Sequence, residues 1–166
     1  DIAYLIREYF SNAFQVGGVA YTSEDWEQKA NFRKEKINEL CWNEVAGMYF
    51  DYDFVNKKQF PFEAATTFFP LWAGLCSEHQ AKKLIEIALP QFIKTGGITG
   101  STKASIAGVP ENAPQRQWDY PFGWAPHQML LWEGLLNYNF KITKTNRTFV
   151  FFCFFCFFSS FLLKKL

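Results

Sequence analysis

No charge of one sign dominates these 166 residues: 17 Lys and Arg stand against 16 Asp and Glu, for a net charge of +1. The cations are spread along the chain, which removes the electrostatic case for nucleic acid, where clustered cations must neutralise phosphates. Histidine is scarce. His79 and His127 are far apart and lack a metal-ligand spacing, and each is expected to be an ordinary helix-terminus residue. The four cysteines include one C-x-x-C, Cys153 and Cys156, with no second pair to complete a zinc site. No His or basic partner surrounds that pair to activate a thiol, so neither a metal nor a redox role is expected there. Cys41 and Cys76, set among helical apolar residues, are expected to be buried free thiols. No apolar run reaches the ~20 residues that span a bilayer. The chain opens on Asp1-Ile2-Ala3-Tyr4 with no initiating Met and no signal-peptide pattern, and it reads as a fragment that starts inside a helix.

Aromatic residues are abundant, at 20% of the chain, and they fall into two groups. All six Trp precede residue 133, whereas Phe149, Phe151, Phe152, Phe154, Phe155, Phe157, Phe158 and Phe161 crowd the far end. The first group belongs to a folded domain of ordinary length. The second lies in residues 149–163, a stretch of Phe, Cys, Ser, Leu and Val with no period, no charge and no Pro. Such a stretch is an aggregation hazard.

Residues 3–14 read as a helix ended by Gly17-Gly18. Thr22 with Asp25 resembles a loose capping box, after which Trp26, Ala30, Ile37, Leu40 and Cys41 recur at helical spacing. Gly47 begins a turn, Met48 to Phe54 alternates aromatic and acidic residues as an extended segment would, and Lys57-Lys58 mark an exposed return. Glu63 to Leu75 reads as a buried helix that Pro70 kinks or restarts. Ser77 with Gln80 makes a second capping box, with Ala81, Leu84, Ile85, Ala88 and Leu89 as its apolar stripe. Pro90 is expected to loosen that helix and Gly96-Gly97 to close it. Gly100 to Arg116 is then a loop rich in Gly, Ser, Pro and Ala. Short helices joined by compact turns argue for an all-α stack of helical hairpins.

That loop leads into Gln117-Trp118-Asp119-Tyr120-Pro121-Phe122-Gly123-Trp124-Ala125-Pro126. Pro121, Gly123 and Pro126 interrupt any helical or strand period, so this is a fixed loop. Pro126 suits a first helical turn, and Met129, Leu130, Leu131, Trp132, Leu135 and Leu136 supply the helix's apolar face. On the residues alone two readings stand. The rings are core and Asp119 caps a turn, or flat rings beside a carboxylate and a carboxamide face a sugar, with its apolar C–H faces and hydroxyl rims.

The decapeptide resembles the second signature of the trehalases, Gln-Trp-Asp-x-Pro-x-Gly-Trp-Ala-Pro, at every fixed position. Flanking segments match in order: Leu40-Cys41-Trp42-Asn43, Met48 to Asp53, Phe69-Pro70-Leu71-Trp72, Thr95-Gly96-Gly97-Ile98 and Trp132-Glu133-Gly134-Leu135. The block from about residue 20 to 140 is similar to part of the C-terminal half of a trehalase, and its wording is nearest to the neutral, cytosolic group. The resemblance implies an incomplete arc of an (α/α)6 toroid over residues 1–140, an inverting hydrolase of trehalose, no cofactor and a cytoplasmic location. It implies that Trp118 stacks on a glucose ring, that Gln117 and Asp119 bond hydroxyls or orient neighbours, and that Trp124 lines the same substrate site, more as packing than as ligand.

Inversion needs one carboxylic acid to protonate the leaving oxygen and a second carboxylate to activate water across the bond. Asp119, Asp51, Asp53, Glu63 and Glu133 are the carboxylates in the block. The resemblance assigns the chemistry to none of them. The family's acid is the Asp of a Gly-Trp-Asp segment upstream, and its base is the Glu of a Val-Glu-Lys-Tyr-Asp segment downstream. Neither occurs in these 166 residues. The chain alone is therefore expected to be inactive and to self-associate through unpaired helix faces and its Phe-rich end. Asp51 and Asp53 are expected to satisfy turn donors. Residues 141–166 depart from the family pattern. Phe, Cys, Ser and Leu are residues of T-rich codons, so translated non-coding sequence is expected there, with a membrane anchor before Lys164-Lys165 as the rival. An Asn146-Arg147-Thr148 sequon lies in the same tail.

Overall fold

The computed structural model describes residues 13–110, 113, 114 and 116–140, together with Tyr4 and Tyr9. The expectations for residues 141–166, with their C-x-x-C and sequon, lie outside the described residues, as does most of the helix expected over 3–14. The chain divides into two units, Asp1–Leu40 and Cys41–Leu166.

In the first unit, β1 (Ala13–Val16) and β2 (Val19–Thr22) form an antiparallel hairpin, with Ala13 opposite Thr22 and Val16 opposite Val19. Gly17 and Gly18 both take positive φ, 57° and 79°, which two-residue hairpin turns require and glycine permits. Gly17-Gly18 thus turns a strand pair where it was expected to end a helix, and residues 13 and 14 are extended. Helix α1 (Ser23–Leu40) follows at once. Thr22 and Asp25 close the expected capping box: the Asp25 carboxylate accepts from Thr22 N at 2.8 Å, and Thr22 Oγ1 accepts from Asp25 N at 3.2 Å. Lys29 Nζ lies over the Tyr21 ring at 4.2 Å and the Trp26 ring at 4.8 Å.

The second unit alternates tight hairpins with short helices. β3 (Trp42–Asn43) pairs with β4 (Met48–Tyr49), and β5 (Asp51–Asp53) pairs with β6 (Lys58–Phe60). Gly47 turns the first at φ 63° and Lys57 the second at φ 52°. A 3-10 turn, Ala65–Phe68, runs into α2 (Phe69–Trp72), where Pro70 sits in the first turn, so proline restarts the helix as expected. Ser77 and Gln80 form a complete capping box at the start of α3 (Glu78–Lys83). The chain then widens into a π turn, Leu84–Ala88, before α4 (Leu89–Phe92). Pro90 is the cause: it has no N–H to donate, and its ring crowds the carbonyl four residues back. β7 (Ile93–Lys94) and β8 (Gly97–Ile98) make the last hairpin, and α5 (Ala125–Asn137) carries Pro126 in its first turn.

The expected all-α architecture is thus only part of the picture. Helices supply most of the core, with Met48 and Ile98 added from strands, and among the described residues there are also four two-stranded hairpins. Two-residue strands carry no readable period, and close helix ends favour a tight turn over a loose loop. Met48, Phe68, Leu71, Leu84, Phe92, Ile98 and Leu131 are fully buried, each contributing about 1.5–3 kcal/mol by removal from water. Phe68 and Phe92 meet edge to face at 5.2 Å. α5 packs on α2 through Gly134, where a Cβ would stand 2.7 Å from that of Leu71. At its end, Tyr138 donates its hydroxyl to Cys76 O at 2.7 Å, and Asn137 Nδ2 donates to Trp72 O at 3.0 Å.

Candidate functional site

The Trp-rich loop is held by a segment whose latter part, from Gly100, was expected to be loop. Residues 97–102 (Gly-Ile-Thr-Gly-Ser-Thr), which begin with β8, are all buried and run between two partners. On one side Ala65 N donates to Gly100 O at 2.8 Å, and Thr102 N donates to Glu63 O at 3.1 Å. On the other, Gly100 N donates to Phe122 O at 2.8 Å and Tyr120 N donates to Ser101 Oγ at 2.9 Å. Within the loop, Asp119 O accepts from Phe122 N at 2.9 Å around a cis Tyr120–Pro121 peptide. Every backbone link there is local or goes to the buried segment, so the loop is fixed as its Pro and Gly content suggested.

Gln128, in the second turn of α5, completes the joint. Its side chain is 6% exposed. Oε1 accepts from Ile98 N at 2.8 Å, while Nε2 donates to Ile98 O at 2.7 Å and to Trp124 O at 3.2 Å. The amide thus stands in for a neighbouring strand. Space for it comes from two glycines. A Cβ at Gly97, where φ is 129°, would lie 2.5 Å from Gln128 Oε1, and one at Gly123 would lie 2.6 Å from Ile98 O. Sequence inspection passed over Gln128; its place two residues after Pro126, on the inward side of the helix, was the available signal.

The candidate residues divide cleanly. Trp118 is 46% exposed, and its indole lies against that of Trp124, centroids 3.7 Å apart and planes at 41°. Trp124 is the more covered of the two and caps the start of α5. Gln117 is exposed and Asp119 half-buried beside Trp118. Lys94 Nζ lies 5.2 Å from the Tyr120 ring centroid, at the edge of the same loop. The four site residues are therefore brought together on one loop, with Trp118 presenting a ring to solvent and Trp124 behind it.

Two of the remaining carboxylates, Glu63 and Asp53, have other partners. Glu63 accepts from the Thr102 hydroxyl, and its N–H donates to Ser105 Oγ at 2.7 Å. Asp53 Oδ1 accepts from the Val55 and Asn56 N–H groups at 3.0 Å each, the turn role expected of it, and the Asn56 side chain, donating to Oδ2 at 2.6 Å, holds its carboxyl below its ordinary range together with those backbone bonds. Asp51 and Glu133 are exposed. Of the histidines, His79 bonds Glu44 at 2.9 Å, and His127 sits in the first turn of α5, 5.9 Å from the Phe69 ring. Cys76 is a buried free thiol and Cys41 a half-buried one, whose pKa burial raises. Among the described residues no group of three His, Cys, Asp or Glu side chains is placed to hold a metal, and no helix is long and apolar enough to cross a membrane.

The trehalase family profile matches residues 1–160. The chain belongs to the trehalase family. It is 44% identical over 142 residues to the cytosolic neutral trehalase of Kluyveromyces lactis, covering 85% of this chain and 19% of that protein. It is 50% identical over 123 residues to that of Beauveria bassiana, covering 74% and 17%. Among solved structures, the neutral trehalase of Saccharomyces cerevisiae superposes with a TM-score of 0.78 at 42% identity, over 84% of this chain and 26% of that one. A GH63 mannosylglycerate hydrolase from Thermus thermophilus superposes at 0.54 with 25% identity, over 71% and 27%. The chain thus spans about a fifth of the length of the curated relatives it matches. The family match reaches residue 160, past Phe140, where the motif pattern stops.

Proposed function

We propose that this stretch forms the sugar-binding wall of a cytosolic α,α-trehalase, an inverting glycosidase that hydrolyses trehalose to two glucose molecules without a cofactor. One observation carries the reading: Trp118 is open to solvent, backed by Trp124, on a loop locked from both sides, in a member of the trehalase family. A half-exposed indole on a rigid mount suits the C–H face of a glucose ring, and Gln117 and Asp119 beside it can bond its hydroxyls. Trp124 supports the ring from behind. The general acid and base come from outside this stretch, and the short helices form one arc of an (α/α)6 ring, with residues 1–140 as the toroid portion and 141–166, into which the family match runs as far as residue 160, as a tail that departs from the family's motifs. Exposed Trp72, Met129 and Leu136 are faces that such a ring buries, so the isolated polypeptide self-associates.

Calorimetric titration with trehalose, run beside a glucose-release assay, tests this. A full-length trehalase carrying the stretch should release glucose, and the 166-residue polypeptide alone should release none. Glucose release by the isolated polypeptide would overturn the division of labour. Binding without turnover by the full-length protein would favour a non-enzymatic sugar-binding module instead.

A further inference from the structure

We infer that Gln128 is a positioning residue for the sugar wall, setting the placement of Trp118 through the Ile98 strand; the inference rests on the sugar-binding role given to Trp118 above. Three elements meet at its amide. The Ile98 peptide is bonded at both its N–H and its carbonyl, and the Trp124 carbonyl is bonded from the same Nε2. Ile98 lies two residues before Gly100, whose N–H holds Phe122 O and whose Cα lies against the Trp118 carbonyl so closely that any Cβ would overlap it. Trp118 therefore rests on Gly100, Gly100 follows Ile98, and Ile98 is fixed to α5 by one buried side chain. The Trp118 ring lies against that of Trp124, whose carbonyl the same amide holds, so both the backbone beneath the ring and the indole behind it lead back to Gln128. Loss of the amide frees the Ile98 carbonyl and lets the segment shift. A shift of about 1 Å at a binding group is enough to matter.

Gln128→Glu keeps the size but removes the Nε2 donor, leaving a carboxylate against two carbonyl oxygens. Gln128→Met keeps the length and removes every side-chain hydrogen bond. In a full-length trehalase carrying the stretch, the KM for trehalose should rise roughly tenfold in either variant, the scale of one lost buried hydrogen bond. On the folded fraction kcat should change far less, because the reacting groups lie on other segments. A merely structural role predicts the opposite pattern: less folded protein and a lower thermal midpoint, with KM unchanged. Trp118→Ala is the control. If it raises KM while a folded Gln128 variant leaves KM unchanged, the positioning role is wrong. If Trp118→Ala leaves KM unchanged, the sugar-wall reading falls first and takes this inference with it. If neither Gln128 variant accumulates as folded protein, the residue is structural and the inference is overturned.

Discussion

Gly100 and Trp118, eighteen positions apart, touch through their backbones: the glycine Cα lies against the Trp118 carbonyl with no room for a methyl group between them. The contact explains why a glycine stands in the middle of a fully buried segment, where glycine otherwise weakens structure. It also makes the Trp-rich loop and the Gly97–Thr102 segment one mechanical unit.

Gly100→Ala should therefore cost about 1–3 kcal/mol, the usual penalty of forcing atoms into a packed site. Gly108→Ala, whose added Cβ would meet nothing within 4 Å, is the matched control and should be near neutral. Thermal midpoints of the two variants against the parent measure the difference. Equal midpoints would mean that the backbone contact is absent in solution.

Replacing Ser77 by Ala should cost about 1 kcal/mol. The Ser77 hydroxyl accepts from Gln80 N at 3.2 Å, and Gln80 Oε1 accepts from Ser77 N at 2.8 Å, so the change removes the hydroxyl half of a reciprocal cap and leaves the Gln80 half in place. Denaturant midpoints report it, and Ser77→Asp should recover most of the loss.

Both capping boxes, the Pro70 restart, the Pro126 helix start and the Asp53 turn were legible in the sequence, because each depends on residues within about four positions of one another. The hairpins were legible only in part: the Gly47 turn, the extended run from Met48 and the Lys57-Lys58 return were readable, whereas two-residue strands have no period and Gly17-Gly18 serves a helix end as well as a turn. The buried segment at 97–102, of which only Gly97–Ile98 is a strand, was also hidden. Its Gly, Thr and Ser content suits a loop, and its partners lie far along the chain at Glu63, Ala65, Phe122 and Gln128. Of the candidate site, the loop and its course set by Pro and Gly were readable; the contact of Trp118 with Trp124 and the Gln128 joint were not, the joint because it acts across thirty residues.

Glu44 should titrate with a pKa of about 2, because bonds from His79, then Lys83, then Trp42 favour its charged form. Its folded value lies below the ordinary 4.5, so its contribution to stability is complete above pH 4.5 and is lost as pH falls toward 2. Carboxyl NMR titration should find the low midpoint, and removing the partners in His79→Ala with Lys83→Met should bring it back up. An ordinary midpoint in the parent would contradict the cluster.

His127 should be harder to protonate than a free imidazole, since burial disfavours its charged form. Its Nδ1 is buried with no hydrogen-bond partner among the described residues. The folded value lies below 6.5, so the unfolded chain takes up the proton first and stability falls as pH drops below 6.5. His127→Phe, which keeps a ring beside Phe69, should flatten that part of the stability–pH curve. An unchanged slope would show that His127 is not its source.

The most direct test of the sugar wall compares Trp118→Ala with Trp72→Ala in a full-length trehalase carrying this stretch, since Trp118 lies on the locked loop while Trp72 stands on a face that the proposed ring buries. The KM for trehalose should rise about tenfold for Trp118→Ala, equivalent to about 1.4 kcal/mol of lost stacking, and stay within about twofold for Trp72→Ala. Equal KM values for Trp118→Ala and the parent enzyme would contradict the assignment.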